Sequence, residues 1–140
     1  MNEQENTRVV QALFAAFGRG DFQSGLKLLA EDVEWQSPVT RNAPAEISWA
    51  QPRRGPAQVA QFFQELGENT QPEPFEIFGV TAQGDTVVVE GRNRGQVRST
   101  GRSYEHDWVM LFTVRHGEIV SHRHYYDTAD VLAAFRSGPD

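Results

Sequence analysis

A chain of 140 residues has the common size of one domain and can bury one core, with 39% hydrophobic and 23% charged residues to build it. A formal charge of −6 excludes a general nucleic-acid binder, which neutralises phosphates with clustered Lys and Arg; Arg92, Arg94, Arg98 and Arg102 are interleaved with Gly, Ser and Thr, as on a hairpin rim. The absence of cysteine excludes disulfides, thiolate zinc sites and cysteine nucleophiles, and the acidic start MNEQENTR without an apolar run of about 18 residues predicts a cytoplasmic location with no membrane partner.

From Asn6 onward Val9, Val10, Leu13, Phe14 and Phe17 recur at helical spacing, and Gly18 and Gly20 stop the helix. Asp21 is placed to cap a second, shorter helix with Phe22, Leu26 and Leu29 on one side. Alternation in Val33-Glu34-Trp35-Gln36 predicts a short strand ended by Pro38. Residues 37–54, with Pro44, Pro52 and an isolated Trp49, form a long irregular segment of the kind that covers a binding site. Gly55-Pro56 opens a third helix carrying Val59, Phe62, Phe63 and Leu66 and ending at Gly67.

After Pro72 and Pro74 the pattern becomes β. Strands are expected near 75–82 and 86–95 around a Gly84-Asp85 turn, then from Tyr104 to Val114 and from Glu118 to Tyr126 around His116-Gly117. Asp127 caps a last short helix with Val131, Leu132 and Phe135, and Ser137-Gly138-Pro139 ends the chain. Helices first and strands last is the order of an α+β domain, here spanning 1–140, with helices covering one face of a curved sheet.

Strand periodicity puts Tyr104, His106, Trp108, Met110, Phe112 and Val114 on one face of the long strand. The opposite face, Glu105, Asp107, Val109, Leu111, Thr113 and Arg115, is charged at its ends and apolar in the middle, which suits an exposed or dimer-forming surface. His122, His124 and Tyr126 share a face of the last strand, so three imidazoles line one mouth if that face turns inward beside His106. Three histidines are also the donor set of an open zinc site, but spacing alone supplies neither geometry nor supporting carboxylates, and no metal or other cofactor is expected. Trp35 and Trp49 suit the walls of a hydrophobic site, although a strand tryptophan is more often core.

Gly20-Asp21, Asp32-Val33-Glu34-Trp35, RRGPAQVAQFF, TGRSYEHDWVMLFTVRHGEI and HYYDTADV together resemble the SnoaL-like, ketosteroid isomerase-related branch of the nuclear transport factor 2 (NTF2-like) superfamily, over nearly the whole chain. The resemblance implies a cone: a curved, mainly antiparallel sheet wrapped by three N-terminal helices around a cavity, a short C-terminal helix, and a homodimer packed through the sheet. In isomerase-like and epoxide hydrolase relatives the last strand commonly brings a carboxylate to the pocket at the position matching His124. A histidine there can serve as a general base without burial, or catalysis has been lost, or the ring is simply hydrogen-bonded structure. The preceding strand supplies an acid and arginine pair in the epoxide hydrolases, which points to Glu90 and Arg92, with an exposed cross-strand ion pair as the alternative.

The resulting expectation is general acid/base chemistry, such as isomerisation, dehydration or epoxide hydrolysis, on a small apolar molecule. His124 is the expected base and Glu90 and Arg92 its polarising partners. His106, His122 and Tyr126 position the substrate, and Trp35, Trp49, Trp108 and Met110 form walls. The rival expectation is a dimeric module that binds a small ligand without catalysis.

Overall fold

The computed structural model describes residues 2–136. Helix α1 (Glu3–Gly18) is capped by Asn2, whose side chain accepts the Glu5 amide at 2.8 Å, and it turns Val10, Leu13 and Ala16 inward. It starts three residues before the apolar periodicity because Glu3 and Glu5 suit a helix N-terminus without contributing to a core. Helix α2 (Phe22–Leu26) is capped by Asp21, whose carboxylate accepts from the Ser24 amide and hydroxyl. Those two bonds, with Arg19 nearby, hold the Asp21 carboxyl below its usual range.

Leu29 does not belong to that helix. Strand β1 (Leu29–Gln36) begins there, since Leu29 pairs with Ile119, and this long-range pairing prevails over the weak helical preference of a five-residue turn. The segment after β1 returns to the sheet as a two-residue strand, β2 (Arg53–Arg54), paired with β1. Helix α3 (Pro56–Asn69) passes Gly67 and ends at Thr70, whose hydroxyl donates to the Leu66 carbonyl. Strands β3 (Thr70–Pro72), β4 (Glu76–Gln83), β5 (Thr86–Val97), β6 (Ser103–Arg115) and β7 (Glu118–Tyr126) follow, then helix α4 (Thr128–Phe135). β2 and β3 are too short to display an alternation, so the sequence gives no sign of them. The closing Ser137-Gly138-Pro139 lies outside the described residues.

The sheet order is β2-β1-β7-β6-β5-β3, with β4 also paired to β5. Every pair is antiparallel except β1 with β7. His116 (φ 51°) and Gly117 (φ 78°) are both left-handed, as the tight β6–β7 turn requires. The architecture is therefore α+β, a curled half-barrel sheet with the N-terminal helices on its concave side and a short helix at its end. Val87, Val89, Phe112, Val114 and Ile119 form the packed floor against Val10 and Leu13 of α1. Side chains of this size each contribute roughly 1.5–3 kcal/mol on burial.

Candidate functional site

Beyond that floor the concave face is left unfilled, and a cavity of about 450 Å³ lies between sheet and helices. Phe14 and Phe17 of α1, Phe62 and Phe63 of α3, Trp35 of β1 and Trp49 give it aromatic walls. Its polar lining comes from Ser37, Glu73, Asn93, Tyr104, His106, His122, His124 and Tyr126. The alternation of β6 and β7 accounts for most of these, because His106 and Met110 on one strand and His122, His124 and Tyr126 on the other all turn to the concave side.

The three histidines differ in what surrounds them. His122 is 2% exposed and stacked on Trp35, its neighbour in the parallel β1–β7 register, at 3.7 Å between ring centroids. Neither of its ring nitrogens has a hydrogen-bond partner among the described residues. Burial first, and the neighbouring His124 second, push its pKa well below the ordinary imidazole value, so the ring is neutral. His124 shares a 2.9 Å hydrogen bond between its Nδ1 and the Ser37 hydroxyl, and its buried Nε2 has no partner among the described residues. Burial, with His106 nearby, pushes it down to about 3.

His106 is tied to a carboxylate. Its Nδ1 lies 2.9 Å from Asp130 Oδ2, an oxygen that also accepts the Glu105 amide at 2.9 Å. Asp130 stands in the first turn of α4 and donates its own amide to the Asp127 cap, so helix and strand fix the pair from both sides. The rings of Tyr104 and Tyr126 stack on His106 at 5.8 and 5.5 Å. The Tyr126 phenol accepts from Trp49 Nε1 at 3.0 Å, and burial raises its pKa well above the usual phenol value, opposed by the Trp49 and Ser37 hydrogen bonds.

Segment 37–54 closes the cavity as a packed wall. Ile47 and Trp49 are each 2% exposed, and the buried Arg53 holds the segment through the Trp49 and Gln51 carbonyls and the Glu65 carboxylate at 3.1 Å.

Two expectations are corrected here. Glu90 and Arg92 lie on the outer face of β5, exposed, while Val89, Gly91 and Asn93 take the concave side. Arg92 pairs with Asp107 at 3.0 Å, and that hydrogen bond raises its pKa; neither residue reaches His124 through the sheet. Trp108 stands behind the wall and does not line it. It is stacked on Phe14 at 6.1 Å, tilted against Phe75 at 5.1 Å and edge-on to His124 at 5.6 Å. Among the described residues no group of three His, Asp or Glu is placed to hold a metal ion.

Residues 10–122 match the family model of the SnoaL-like domain. The chain belongs to the SnoaL-like family. Among solved structures, the SnoaL-like protein is similar to an NTF2-like protein from Burkholderia xenovorans at 37% identity, covering 97% of this chain and 99% of that one with a TM-score of 0.82. An NTF2-like protein from Burkholderia thailandensis is 27% identical over 97% of this chain and 99% of its own, with a TM-score of 0.83. A proposed polyketide cyclase from Xanthomonas campestris pv. campestris is 28% identical over 97% of this chain and all of its own, 100%, with a TM-score of 0.80. No curated protein matches the chain.

Sequence reasoning did not single out Asp130, Ser37 or Asn93 of the SnoaL-like protein. Asp130 follows the Asp127 cap by three residues and reads as ordinary helix-start chemistry. Ser37 is hidden in an irregular segment. Asn93 carried a signal: in Gly91-Arg92-Asn93-Arg94-Gly95 it is the only side chain larger than hydrogen on its face.

Proposed function

We propose that the SnoaL-like protein is a general acid/base enzyme that moves a proton at carbon in a small, largely apolar molecule, as in isomerisation or dehydration. The observation that carries this reading is the 2.9 Å contact of His106 Nδ1 with Asp130 Oδ2 beside an aromatic cavity. A carboxylate that holds Nδ1–H leaves the lone pair of a neutral imidazole on Nε2, at the cavity that His106 lines. Asp130 is a positioning residue in this scheme and fixes the tautomer.

The base role passes from His124 to His106, because a group titrating at about 3 is a weak base and stays a neutral hydrogen-bonding ring at physiological pH. Trp35, Trp49 and Met110 hold the apolar body of the substrate, with His122 and Tyr126 beside them. Epoxide opening is less favoured: it needs an activated water, and His106 is flanked by the ring faces of Tyr104 and Tyr126. The proposed polyketide cyclase at 28% identity is in keeping with an enzyme. A chain without cysteine fits the cytoplasm. The half-buried Val109, Leu111 and Thr113 on the outer face of β6 suit a homodimer packed through the sheet.

The test is hydrogen–deuterium exchange at the α-carbon of β-tetralone, a small apolar ketone, in deuterated buffer. The parent protein is expected to accelerate exchange above buffer. His106→Gln should lower the rate by about 10²-fold or more. Asp130→Asn should lower it by about tenfold and shift His106 away from its Nδ1–H tautomer in imidazole nitrogen NMR. Binding of β-tetralone without any exchange would favour the rival reading of a ligand-holding module, which the two neutral, buried histidines also suit.

A further inference from the structure

The inner face of β5 opposite His106 carries a spacing that the acid/base reading leaves unused. Gly91, Asn93 and Gly95 alternate there, and each glycine makes room for an aromatic ring of β6 lying across the strand. A Cβ at Gly91 would stand 2.6 Å from the Trp108 ring. One at Gly95 would stand 2.5 Å from the Tyr104 hydroxyl. Both are closer than a Cβ approaches another heavy atom without displacement, and the backbone carbonyls of Glu76 and Gln71 crowd the same two positions. Asn93 is thus a lone amide between two aromatic walls, directly opposite His106 in the antiparallel register. Side chains so paired have Cβ atoms about 4.5–5.5 Å apart.

The Asn93 amide is not committed to the protein. Among the described residues its buried Oδ1 has no hydrogen-bond partner, and none engages Nδ2. Nδ2 is not among the buried unpartnered atoms, so the NH₂ end is the accessible one, and the residue lines the cavity. Half-buried amides in folded proteins are ordinarily hydrogen-bonded, and a donor left open beside a base is matched by an acceptor on a ligand.

We propose that Asn93 is a specificity-determining residue that donates a hydrogen bond to a single oxygen function of the ligand, a carbonyl or ether oxygen, held next to His106. This rests on the reading of the cavity as a small-molecule site with His106 at its reacting end. The ligand class is a flat, apolar ring system with one oxygen acceptor at the end that meets the β5–β6 pair. Gly91 and Gly95 hold the amide's aromatic flanks in place.

The test compares two probes of one shape, β-tetralone and the hydrocarbon tetralin, by quenching of tryptophan fluorescence. The parent protein is expected to bind the ketone about tenfold more tightly than the hydrocarbon, since a site with an unmatched polar group discriminates against the ligand that cannot pair with it. Asn93→Leu should abolish that preference and leave tetralin affinity within about twofold. As a readout that needs no substitution in the strand, the Asn93 side-chain amide is also followed in nitrogen–proton NMR of the unaltered protein, where β-tetralone should shift it and tetralin should not. A preference retained in the variant, an amide unmoved by the ketone, or a parent that binds neither probe overturns the proposal. Deuterium exchange reports on the base separately. Exchange without a ketone preference removes Asn93 and keeps His106; a ketone preference without exchange does the reverse.

Discussion

His122 is a polar ring in an apolar slot, between Trp35 and Phe112, with both nitrogens unpartnered among the described residues. Only the neutral form is tolerated there, and burial imposes the same on His124, pushed down to about 3. In the unfolded chain both titrate near the reference value of about 6.5. The unfolded chain therefore binds more protons than the folded one between that value and the lowered ones. The stability these rings contribute is fully present above about pH 7 and is lost as pH falls below it, for His124 down to about 3, with a slope of up to about 1.4 kcal/mol per pH unit per histidine. Thermal melts should show a constant Tm above about pH 7 and a steep fall below about pH 6. His122→Leu removes one titrating ring and two orphaned nitrogens, so it should roughly halve the slope between about pH 4.5 and 6 and raise Tm at pH 5 relative to the parent. An unchanged slope would mean that the acid sensitivity comes from elsewhere.

Among the elements, segment 37–54 has the least regular structure, and it brings Ser37 and Trp49 to the cavity wall. Its hold depends on Arg53, which is 8% exposed and bonded to the Trp49 and Gln51 carbonyls as well as to Glu65. Arg53→Met keeps the volume and removes all of these bonds. It should cost about 1–3 kcal/mol in urea unfolding and shift Trp49 emission to the red as the wall loosens; unaltered emission would show that Ile47 and Trp49 hold the wall by packing alone. The strands were more legible than this segment. Alternation in Tyr104–Val114 and Glu118–Tyr126 named the residues sharing each face, because those strands are half-buried and the side-chain period is two. It failed on β5 for a physical reason. Thr86-Val87-Val88-Val89 is apolar on both parities, and two of the three following inward positions are glycines without apolar signal, so nothing local marks Glu90 and Arg92 as outward. Asp130 was out of reach for another reason: it meets His106 only because α4 folds back across β6 from 24 residues away.

At the scale of the molecule, the sheet separates two chemistries. Its concave face holds the cavity and the histidines, while the outer face of β6 is half-buried at Val109, Leu111 and Thr113 and bounded by the ion pairs of Arg92 with Asp107 and Glu105. An apolar centre within a charged rim is the anatomy of a contact surface, and a stable dimer needs about 1,200–2,000 Å² of it in total. A carboxylate placed at that centre on both copies by Leu111→Asp would be desolvated without a partner, which associating chains do not tolerate. Sedimentation velocity should then show the parent as a dimer and the variant as a monomer. Since Leu111 points away from the cavity, β-tetralone affinity should stay within about twofold of the parent's. A monomeric parent would remove the dimer. A dimer that persists in the variant would move the interface off β6. Loss of both association and ligand binding would mean that the two faces of the sheet are coupled, so that the cavity takes its shape only in the assembled pair.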